Sequence, residues 1–192
     1  MGEEILVVGN GIWEMNSELE KLLSLSDFVI ALDGAADKFQ EWDVVIGDMD
    51  SIGNPESHQS DNNQNNSDLA KALEKYDVKR VYGIDGGRLD HRYGAFSALF
   101  ETKSNAILYI GTWRACRVPD SGLKIRIPPG SKCGLFPLGI VSEISTNGFE
   151  FNLDKKTIST GTLGLGNVAI EKEIIIKKSS GDLLFTWEGN EP

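Results

Sequence analysis

The 192-residue chain lacks several features that would assign it to a broad class. Its two cysteines, Cys116 and Cys133, form no CxxC pair and have no histidine-rich surroundings, so neither a zinc site nor a redox pair is indicated. No apolar run approaches the roughly 20 residues of a membrane span, and the acidic N-terminus lacks the basic region of a signal peptide. We therefore expect free thiols in a reducing, cytoplasmic compartment and no membrane partner.

Basic residues are also scarce, with 19 lysines and arginines against 29 acidic residues and a formal net charge of −10. Proteins that bind nucleic acids or membrane surfaces need a basic face, so this balance argues against both classes. An acidic protein can still bind phosphate ligands, because a bound metal cation can supply the positive charge that the phosphates need. The hydrophobic content of 40% and the charged content of 25% are ordinary for a globular protein.

The first part of the chain alternates short apolar runs with stretches that suit helices. Strands are predicted over residues 4–9, 27–34, 43–48, 79–84 and 106–111, and helices over 13–23, 35–42, 68–76 and 91–102. This alternation predicts an α/β fold, with an N-terminal open, mostly parallel sheet flanked by helices. Ligands of such sheets bind beyond the carboxyl ends of the strands.

The pattern changes after about Arg117, where short β-rich pieces are separated by glycine, proline and asparagine. Turn signals recur every 8–12 residues or so, which predicts a C-terminal β-sandwich or roll. We place the domains at residues 1–118 and 119–192. Residues 53–66 are polar without periodicity and are predicted to be a loop.

Residues 44–51, VVIGDMDS, place Asp48 and Asp50 directly after an apolar run. In extended backbone, residues i and i+2 point to the same side, so the two carboxylates would repel each other. A divalent cation relieves that repulsion, and hard oxygen ligands suit Mg²⁺, which usually arrives with the phosphates of a substrate. The alternative is a solvated acidic turn.

Residues 83–91, GIDGGRLDH, form a second motif. Gly86 and Gly87 allow a close approach of the backbone to a ligand, and Arg88 is suited to bind phosphate with two hydrogen bonds. Asp90 and His91 follow at the expected start of a helix, where backbone N–H groups favour anions. The alternative is a tight turn with an exposed Arg–Asp pair.

Two further segments are weaker signals. Asp68 follows Ser67 at the start of a predicted helix, where it is either a third carboxylate for the metal or a helix cap. Asp33 ends a strand before Gly34, in a turn with space for a ligand, although an ordinary glycine turn into a helix has the same sequence.

Taken in this order, the segments resemble the thiamine pyrophosphokinase family. The matching motifs are DGAAD at 33–37, GDMDS at 47–51, SD at 67–68 and GGRLDH at 86–91. GLFPLG at 134–139, TNGFEFNL at 146–153 and TLGLGNVA at 162–169 match the C-terminal part of the family more loosely. The resemblance spans most of the chain.

The resemblance implies Mg²⁺-dependent transfer of pyrophosphate from ATP to the hydroxyl of thiamine, with release of AMP. It also implies an α/β catalytic domain, a thiamine-binding β-sandwich domain and a homodimer. The expected metal ligands are Asp48, Asp50 and Asp68, with Asp33 as a candidate further ligand or as the residue that orients a metal-bound water.

The remaining implied sites are grouped by role. The catalytic residues are Asp48, Asp50, Asp68, Arg88 and Asp90; the ATP-binding residues are Asp33, Gly34, Ser51, Gly86, Gly87, Arg88 and His91; and the thiamine-binding residues are Phe151, Gly166 and Asn167. Asp90 either accepts the hydroxyl proton or orients Arg88. His91 either contacts phosphate or has a structural role at the start of the helix. Phe149, Phe151 and Trp187 are candidate stacking partners for a cationic thiazolium, or core residues.

Several positions depart from the family pattern. Asp37 stands where the family often has Asn, Met49 replaces Phe, and Asn63 and Asn65 stand where acids are common. Phe151 replaces Trp and Gly166 replaces Ser in the part associated with the organic substrate. Three alternatives are therefore a pyrophosphokinase for another heterocyclic alcohol such as a hydroxymethylpterin, a non-catalytic nucleotide or thiamine-phosphate binding protein, and an acidic α/β domain with coincidental motifs.

Overall fold

The computed structural model describes residues 2–48 and 65–189 of the chain. The chain forms two compact units that divide between Ile110 and Gly111. This division precedes the boundary that we placed between residues 118 and 119, because strand β6 (Trp113–Arg117) pairs with β12 (Ser180–Glu188) in the second unit. All but the last two residues of the polar segment 53–66 lie outside the described residues.

The first unit is built on a sheet of short parallel strands. In chain order these are β1 (Ile5–Val8), β2 (Phe28–Leu32), β3 (Val44–Ile46), β4 (Val78–Tyr82) and β5 (Ile107–Ile110). Their spatial order is β3-β2-β1-β4-β5, and each neighbouring pair is parallel. Strands β2 and β3 lie on one side of β1, and β4 and β5 lie on the other, so the strand order changes direction between β1 and β4. Ligands of open α/β sheets bind outside the strand ends at such a point.

Helices connect these strands where the sequence supplies caps. Helix α1 (Ser17–Ser24) begins after Asn16, whose side chain accepts hydrogen bonds from the N–H groups of Glu18 and Leu19. Helix α2 (Asp68–Lys75) begins after Ser67, whose hydroxyl accepts a hydrogen bond from the Ala70 N–H, so the predicted N-cap is confirmed. Helix α3 (Leu89–Glu101) follows β4.

Two helix predictions are wrong in extent. Helix α1 starts at Ser17 rather than at residue 13, because the Trp13 indole donates to the Gly9 carbonyl at 2.8 Å and holds its segment in the loop after β1. The helix predicted over 35–42 is a short 3-10 helix, Asp33–Asp37. Lys38 caps its C-terminal end, and Phe39 after it is buried in the core.

The apolar runs form strands because both faces of the sheet are covered. All four residues of β1 are buried, which is the pattern of a central strand in a parallel sheet. The strands pack with helix α1 and the 3-10 helix into one cluster of buried side chains, which includes Leu6, Val8, Leu19, Leu22, Val29, Ala31, Ala35, Phe39, Val45, Tyr82 and Tyr109.

The second unit is antiparallel. Its strands are β6, β7 (Leu123–Arg126), β8 (Lys132–Asn147), β9 (Lys156–Ser159), β10 (Asn167–Val168), β11 (Glu173–Lys177) and β12. The long strand β8 organises them, because it pairs in turn with β10 and β12, then with β9, and finally with β11. Among the described helices, none has the length and apolar character needed to cross a membrane.

Candidate active site

The carboxyl ends of β2 and β3 bring the first two predicted acids to the same edge of the sheet. Leu32 pairs with Ile46 as the last residues of the two parallel strands. Asp33 therefore follows β2 where Gly47 and Asp48 follow β3. The register, not the sequence spacing, makes these residues neighbours.

Asp33 has an unusual backbone and an unusual environment. Its φ is +42°, in the left-handed region that residues with a Cβ rarely adopt, and its side chain is buried. Strained backbone of this kind is common at functional sites, and a buried carboxylate needs compensation. Both properties support a role for Asp33 beyond the turn.

Asp33 and Asp68 both lie close to Gly47. A Cβ added to Gly47 would lie 2.8 Å from Asp33 Cβ and 3.3 Å from Asp68 Oδ2. Asp33 and Asp68 therefore flank the residue that precedes Asp48, and a larger side chain there would have to displace one of them. Asp33 and Asp68 thus come from two separate elements and approach Gly47, and Asp48 follows that glycine in the chain.

Asp68 is the first residue of helix α2, as predicted. Its Oδ1 accepts a hydrogen bond from Lys71 Nζ at 2.9 Å, one turn further along the helix. Lys71 was not among the residues predicted from the sequence, although its i, i+3 spacing from Asp68 is the spacing at which helical side chains meet. A buried lysine is thus part of the acidic cluster.

Two predicted site residues, Asp50 and Ser51, lie outside the described residues. Within residues 2–48 and 65–189, no three histidine, cysteine or acidic side chains are arranged as a ready metal site. The donors that are described still fit Mg²⁺, because they are all carboxylate oxygens. Mg²⁺ also commonly uses one or two protein carboxylates and completes its shell with water and substrate phosphates.

The glycine loop after β4 is fixed by the loop after β1. The Gly11 N–H donates to the Gly83 carbonyl at 2.7 Å, and the Ile12 N–H donates to the Asp85 carbonyl at 2.9 Å. Gly86 has a φ of +79°, and a Cβ there would lie 2.6 Å from Ile12 Cβ. Only glycine at position 86 can adopt this positive φ without strain and also avoid a clash with Ile12.

Gly87 differs from Gly86 in its surroundings. Its φ is also positive, at +67°, but no atom beyond its own residue and its two chain neighbours lies within 4 Å of where its Cβ would be. The loop thus presents open backbone immediately before Arg88 and the start of helix α3.

Arg88 and Asp90 form an exposed ion pair at the start of α3, in which Nε and one terminal nitrogen of Arg88 donate to the two carboxylate oxygens. The Asp90 carboxylate also accepts the His91 backbone N–H at 3.0 Å. The hydrogen bonds from Arg88 lower the pKa of Asp90 to about 2, and the same pairing raises the pKa of Arg88. Asp90 is therefore a weak base that holds the guanidinium in place.

A second arginine lies close to this loop and was missed by the sequence analysis. One terminal nitrogen of Arg92 lies 2.6 Å from Asp85 Oδ1, which also accepts the Gly86 N–H at 2.8 Å. Asp85 lies inside the GIDGGRLDH motif and Arg92 directly follows it, but their spacing does not indicate that they pair, so only the folded structure reveals the ion pair.

The predicted organic-substrate residues lie at a pocket of about 280 Å³ in the second unit. Its lining is mainly apolar and consists of Leu135, Phe151, Leu153, Ile158, Leu163, Gly164, Leu165 and Asn167. Gly166, between two lining residues in the chain, has a φ of +76° and open space beside it. Phe151, Gly166 and Asn167 are therefore brought together.

Asn167 fixes the backbone of Phe151 from both sides. Its Nδ2 donates to the Phe151 carbonyl at 2.7 Å, and its Oδ1 accepts the Phe151 N–H at 3.1 Å. Phe151 as a whole is 67% exposed. Phe149 and Trp187 are instead fully buried around Phe185, so these two candidate stacking partners are core residues.

Sequence models of two domains match the chain. The model described as "Thiamin pyrophosphokinase, catalytic domain" matches residues 19–110, and the model described as "Thiamin pyrophosphokinase, vitamin B1 binding domain" matches residues 123–183. Together they cover most of both compact units, in the order expected of the family. The chain belongs to the thiamin pyrophosphokinase family. The family predicted from the sequence motifs is thus confirmed.

A curated member of the thiamin pyrophosphokinase family, thiamine pyrophosphokinase 1 of rice (Oryza sativa subsp. japonica), is 28% identical over 172 residues. That match covers 75% of this chain and 65% of the rice protein, so the chain spans just under two thirds of its curated relative.

Solved structures with the thiamin pyrophosphokinase name share the fold. The Bacillus subtilis thiamine pyrophosphokinase matches with a TM-score of 0.80 at 22% identity, covering 98% of this chain and 100% of that one. The Geobacillus thermodenitrificans protein matches with a TM-score of 0.81 at 19% identity, covering 97% of each chain. The predicted fold class, a parallel α/β part followed by a β-rich part, is confirmed.

Proposed function

We propose that this chain transfers the pyrophosphate group of ATP to the hydroxyl of thiamine, giving thiamine diphosphate and AMP. The observation that carries the proposal is the placement of Asp33, Asp48 and Asp68 around Gly47 at the carboxyl edge of the parallel sheet, in a chain that matches both domains of one enzyme family.

The reaction balances without a covalent enzyme intermediate. The thiamine hydroxyl oxygen attacks the β-phosphorus of ATP, and the bond from that phosphorus to the oxygen bridging the α-phosphate breaks. AMP leaves with the bonding electron pair, and the hydroxyl proton passes to a base. The protein contributes mainly by positioning the reactants and neutralising charge, as in other phosphoryl transfers.

We propose that Asp48, Asp50 and Asp68 hold Mg²⁺, with Asp33 as a candidate further ligand. When bound, Mg²⁺ would neutralise the oxygens of the triphosphate. The acidic cluster supports this assignment, since ATP and several carboxylates at one edge would otherwise repel each other.

Arg88 is proposed to bind the phosphates with its planar guanidinium, beside the open backbone of Gly87. Of the two roles left open for Asp90, orienting Arg88 is favoured, because the pairing with Arg88 keeps the pKa of Asp90 near 2 and makes it a poor proton acceptor. Gly34, Ser51 and His91 stay assigned to the ATP site on sequence grounds.

The pocket of the second unit is proposed to bind the organic substrate. Its apolar lining suits a heterocyclic ring, and the exposed Phe151 ring is available to stack on a cationic thiazolium. Phe151 and Gly166 are two of the positions where the chain departs from its family. Their location at the pocket supports a second candidate, a pyrophosphokinase for another heterocyclic alcohol such as a hydroxymethylpterin.

A coupled assay of AMP release tests the proposal. We expect AMP formation that requires ATP, Mg²⁺ and thiamine together and that stops when the metal is chelated. AMP release with a hydroxymethylpterin but not with thiamine would support the second candidate. Binding of Mg·ATP by calorimetry without turnover of either alcohol would contradict both and favour a binding protein.

We further propose that the protein is a homodimer in the cytoplasm. Large apolar side chains outside the pocket are exposed on the second unit, among them Leu138, Ile140 and Ile170, and a second copy would cover such side chains. The buried free thiols of Cys116 and Cys133 are compatible with a reducing compartment. Light scattering after size exclusion measures the oligomeric state, and a monomer at micromolar concentration would contradict the dimer.

A further inference from the structure

Lys71 is a buried cation for which the proposed reaction has no assigned role. Its side chain is 8% exposed, although lysine is among the residues least often buried without a charged partner. The other lysine of helix α2, Lys75, is exposed and lies over the Tyr76 ring. Burial is therefore a property of this position and not of the helix.

The two carboxylate oxygens of Asp68 have different surroundings. Oδ1 accepts the hydrogen bond from Lys71 Nζ, at 2.9 Å. Oδ2 lies beside Gly47 and Asp33, 3.3 Å from the position that a Gly47 Cβ would occupy. The lysine thus holds Asp68 through one oxygen while the other oxygen faces the ends of β2 and β3.

The positive charge of Lys71 lies next to a group of negatively charged side chains. Asp33 and Asp68 both lie against Gly47, Asp48 is the next residue in the chain, and Lys71 contacts Asp68 directly. Like charges that share a partly buried site repel each other unless a cation is present. A lysine and a bound divalent cation would relieve the same repulsion.

We propose that Lys71 is a built-in counter-ion of the acidic cluster, a positioning residue that holds Asp68 and lowers the repulsion among the acids before a divalent cation binds. The inference rests on the proposed function, because it takes the acidic cluster as the Mg²⁺ site. Lys71 acts through Asp68 and contributes no ligand to the metal.

The test compares Lys71→Met with the wild-type protein, with Lys75→Met as a matched control on the exposed face of the same helix. Binding of Mn²⁺, used as a spectroscopic probe for Mg²⁺, is measured by electron paramagnetic resonance without nucleotide. We expect Lys71→Met to bind Mn²⁺ roughly tenfold more tightly, because a positive charge near the site has been removed. Lys75→Met should bind like the wild type.

Thermal melting gives a second readout that a purely structural ion pair would not produce. In chelator, Lys71→Met should melt at a lower temperature than the wild type, and saturating Mg²⁺ should reduce the difference, since binding to the folded state stabilises it. Lys71→Arg keeps the charge and should show wild-type Mn²⁺ affinity.

Unchanged or weaker Mn²⁺ binding in Lys71→Met would overturn the inference, as would a melting difference that Mg²⁺ leaves unaltered. Absence of Mn²⁺ binding to the wild type would also overturn it. AMP release by the wild-type protein is measured separately, so failure of the inference is distinguishable from failure of the proposed activity.

Discussion

Arg92 reaches back from the first turns of helix α3 to Asp85, with 2.6 Å between an Arg92 terminal nitrogen and Asp85 Oδ1. The same oxygen accepts the Gly86 N–H at 2.8 Å, and the Asp85 carbonyl accepts the Ile12 N–H at 2.9 Å. One aspartate thus joins the glycine loop, the loop after β1 and the helix that begins with Arg88 as its N-cap. The glycine loop is therefore anchored at its centre, independently of the exposed Arg88–Asp90 pair.

We predict that Asp85→Asn and Arg92→Gln each raise the KM for ATP several-fold, because the loop that carries Arg88 loses its anchor. The change in unfolding free energy should be small, about 0.2–1 kcal/mol, since the pair is partly exposed. Steady-state kinetics with varied ATP checks the prediction, and the double variant should be no worse than the poorer single variant. Lys124→Gln, which breaks the exposed pair with Glu173 in the second unit, is the control. A KM equal to that of Lys124→Gln would contradict it.

The pairing of Arg88 with Asp90 predicts a specific pH behaviour. The pKa of Asp90 lies below its ordinary value, so any stabilisation from the pair is complete above the ordinary pKa and is lost only as the pH falls towards about 2. Asp90→Asn should therefore lower kcat/KM without moving either limb of the pH–rate profile between about pH 5 and pH 9. Loss of one limb in the variant would instead identify Asp90 as the base.

The acids of the GDMDS motif carry the largest predicted effect on turnover. Asp48→Asn and Asp50→Asn should each lower kcat by roughly 10²-fold, the scale of removing one group that stabilises charge in the transition state. Asp77→Asn, at an exposed acid paired with Lys79 in the same unit, is the control. Turnover near the wild-type value at saturating Mg²⁺ would exclude the altered residue from the metal site.

The sequence predicted where the acids lie better than it predicted what surrounds them. Asp33 and Asp48 follow strand ends and Asp68 starts a helix, and these boundaries follow from apolar periodicity and caps such as Ser67. Their role in a metal site stays a prediction. Lys71 and the Asp85–Arg92 pair were not found. Their roles depend on which side chains meet after helices α2 and α3 pack, and that information is not local in the chain.

The secondary structure, too, could be predicted only where local sequence decides it. Trp13 and Phe39 belong to stretches with helix-like composition, yet neither lies in a helix, since the Trp13 indole bonds to Gly9 and Phe39 packs into the core. Tertiary contacts overrode local propensity at both places. The buried strands were predicted well because a short continuous apolar run is typical of a strand that is covered on both faces of a parallel sheet.

Gly47 provides a steric test of the acidic cluster. Gly47→Ala would place a methyl group 2.8 Å from Asp33 Cβ and 3.3 Å from Asp68 Oδ2, so one of the acids must move. We expect a loss of about 1–3 kcal/mol in unfolding free energy, typical of overpacking, together with a strong loss of kcat.

Gly87→Ala is the matched comparison for Gly47→Ala. Gly87 also lies in a loop of the first unit, but its Cβ would meet no atom within 4 Å. Only its positive φ opposes the substitution, at a cost of about 1–2 kcal/mol. Urea unfolding and Mn²⁺ binding separate the two variants, because only Gly47→Ala should weaken the cation site. Equal cation binding by both would contradict the close approach of Asp33 and Asp68 to Gly47.

Asn167 should control the organic substrate without affecting the nucleotide. Its side-chain amide holds Phe151 through hydrogen bonds of 2.7 and 3.1 Å, so Asn167→Ala releases the segment that presents the Phe151 ring at the pocket. We expect the KM for thiamine to rise by about tenfold, equivalent to about 1.4 kcal/mol of binding free energy, while the KM for ATP stays unchanged. Phe151→Leu should have a similar effect through loss of the aromatic face, and Phe151→Trp should retain binding. A parallel rise in both KM values would mean that Asn167 supports the fold of the second unit rather than the substrate pocket.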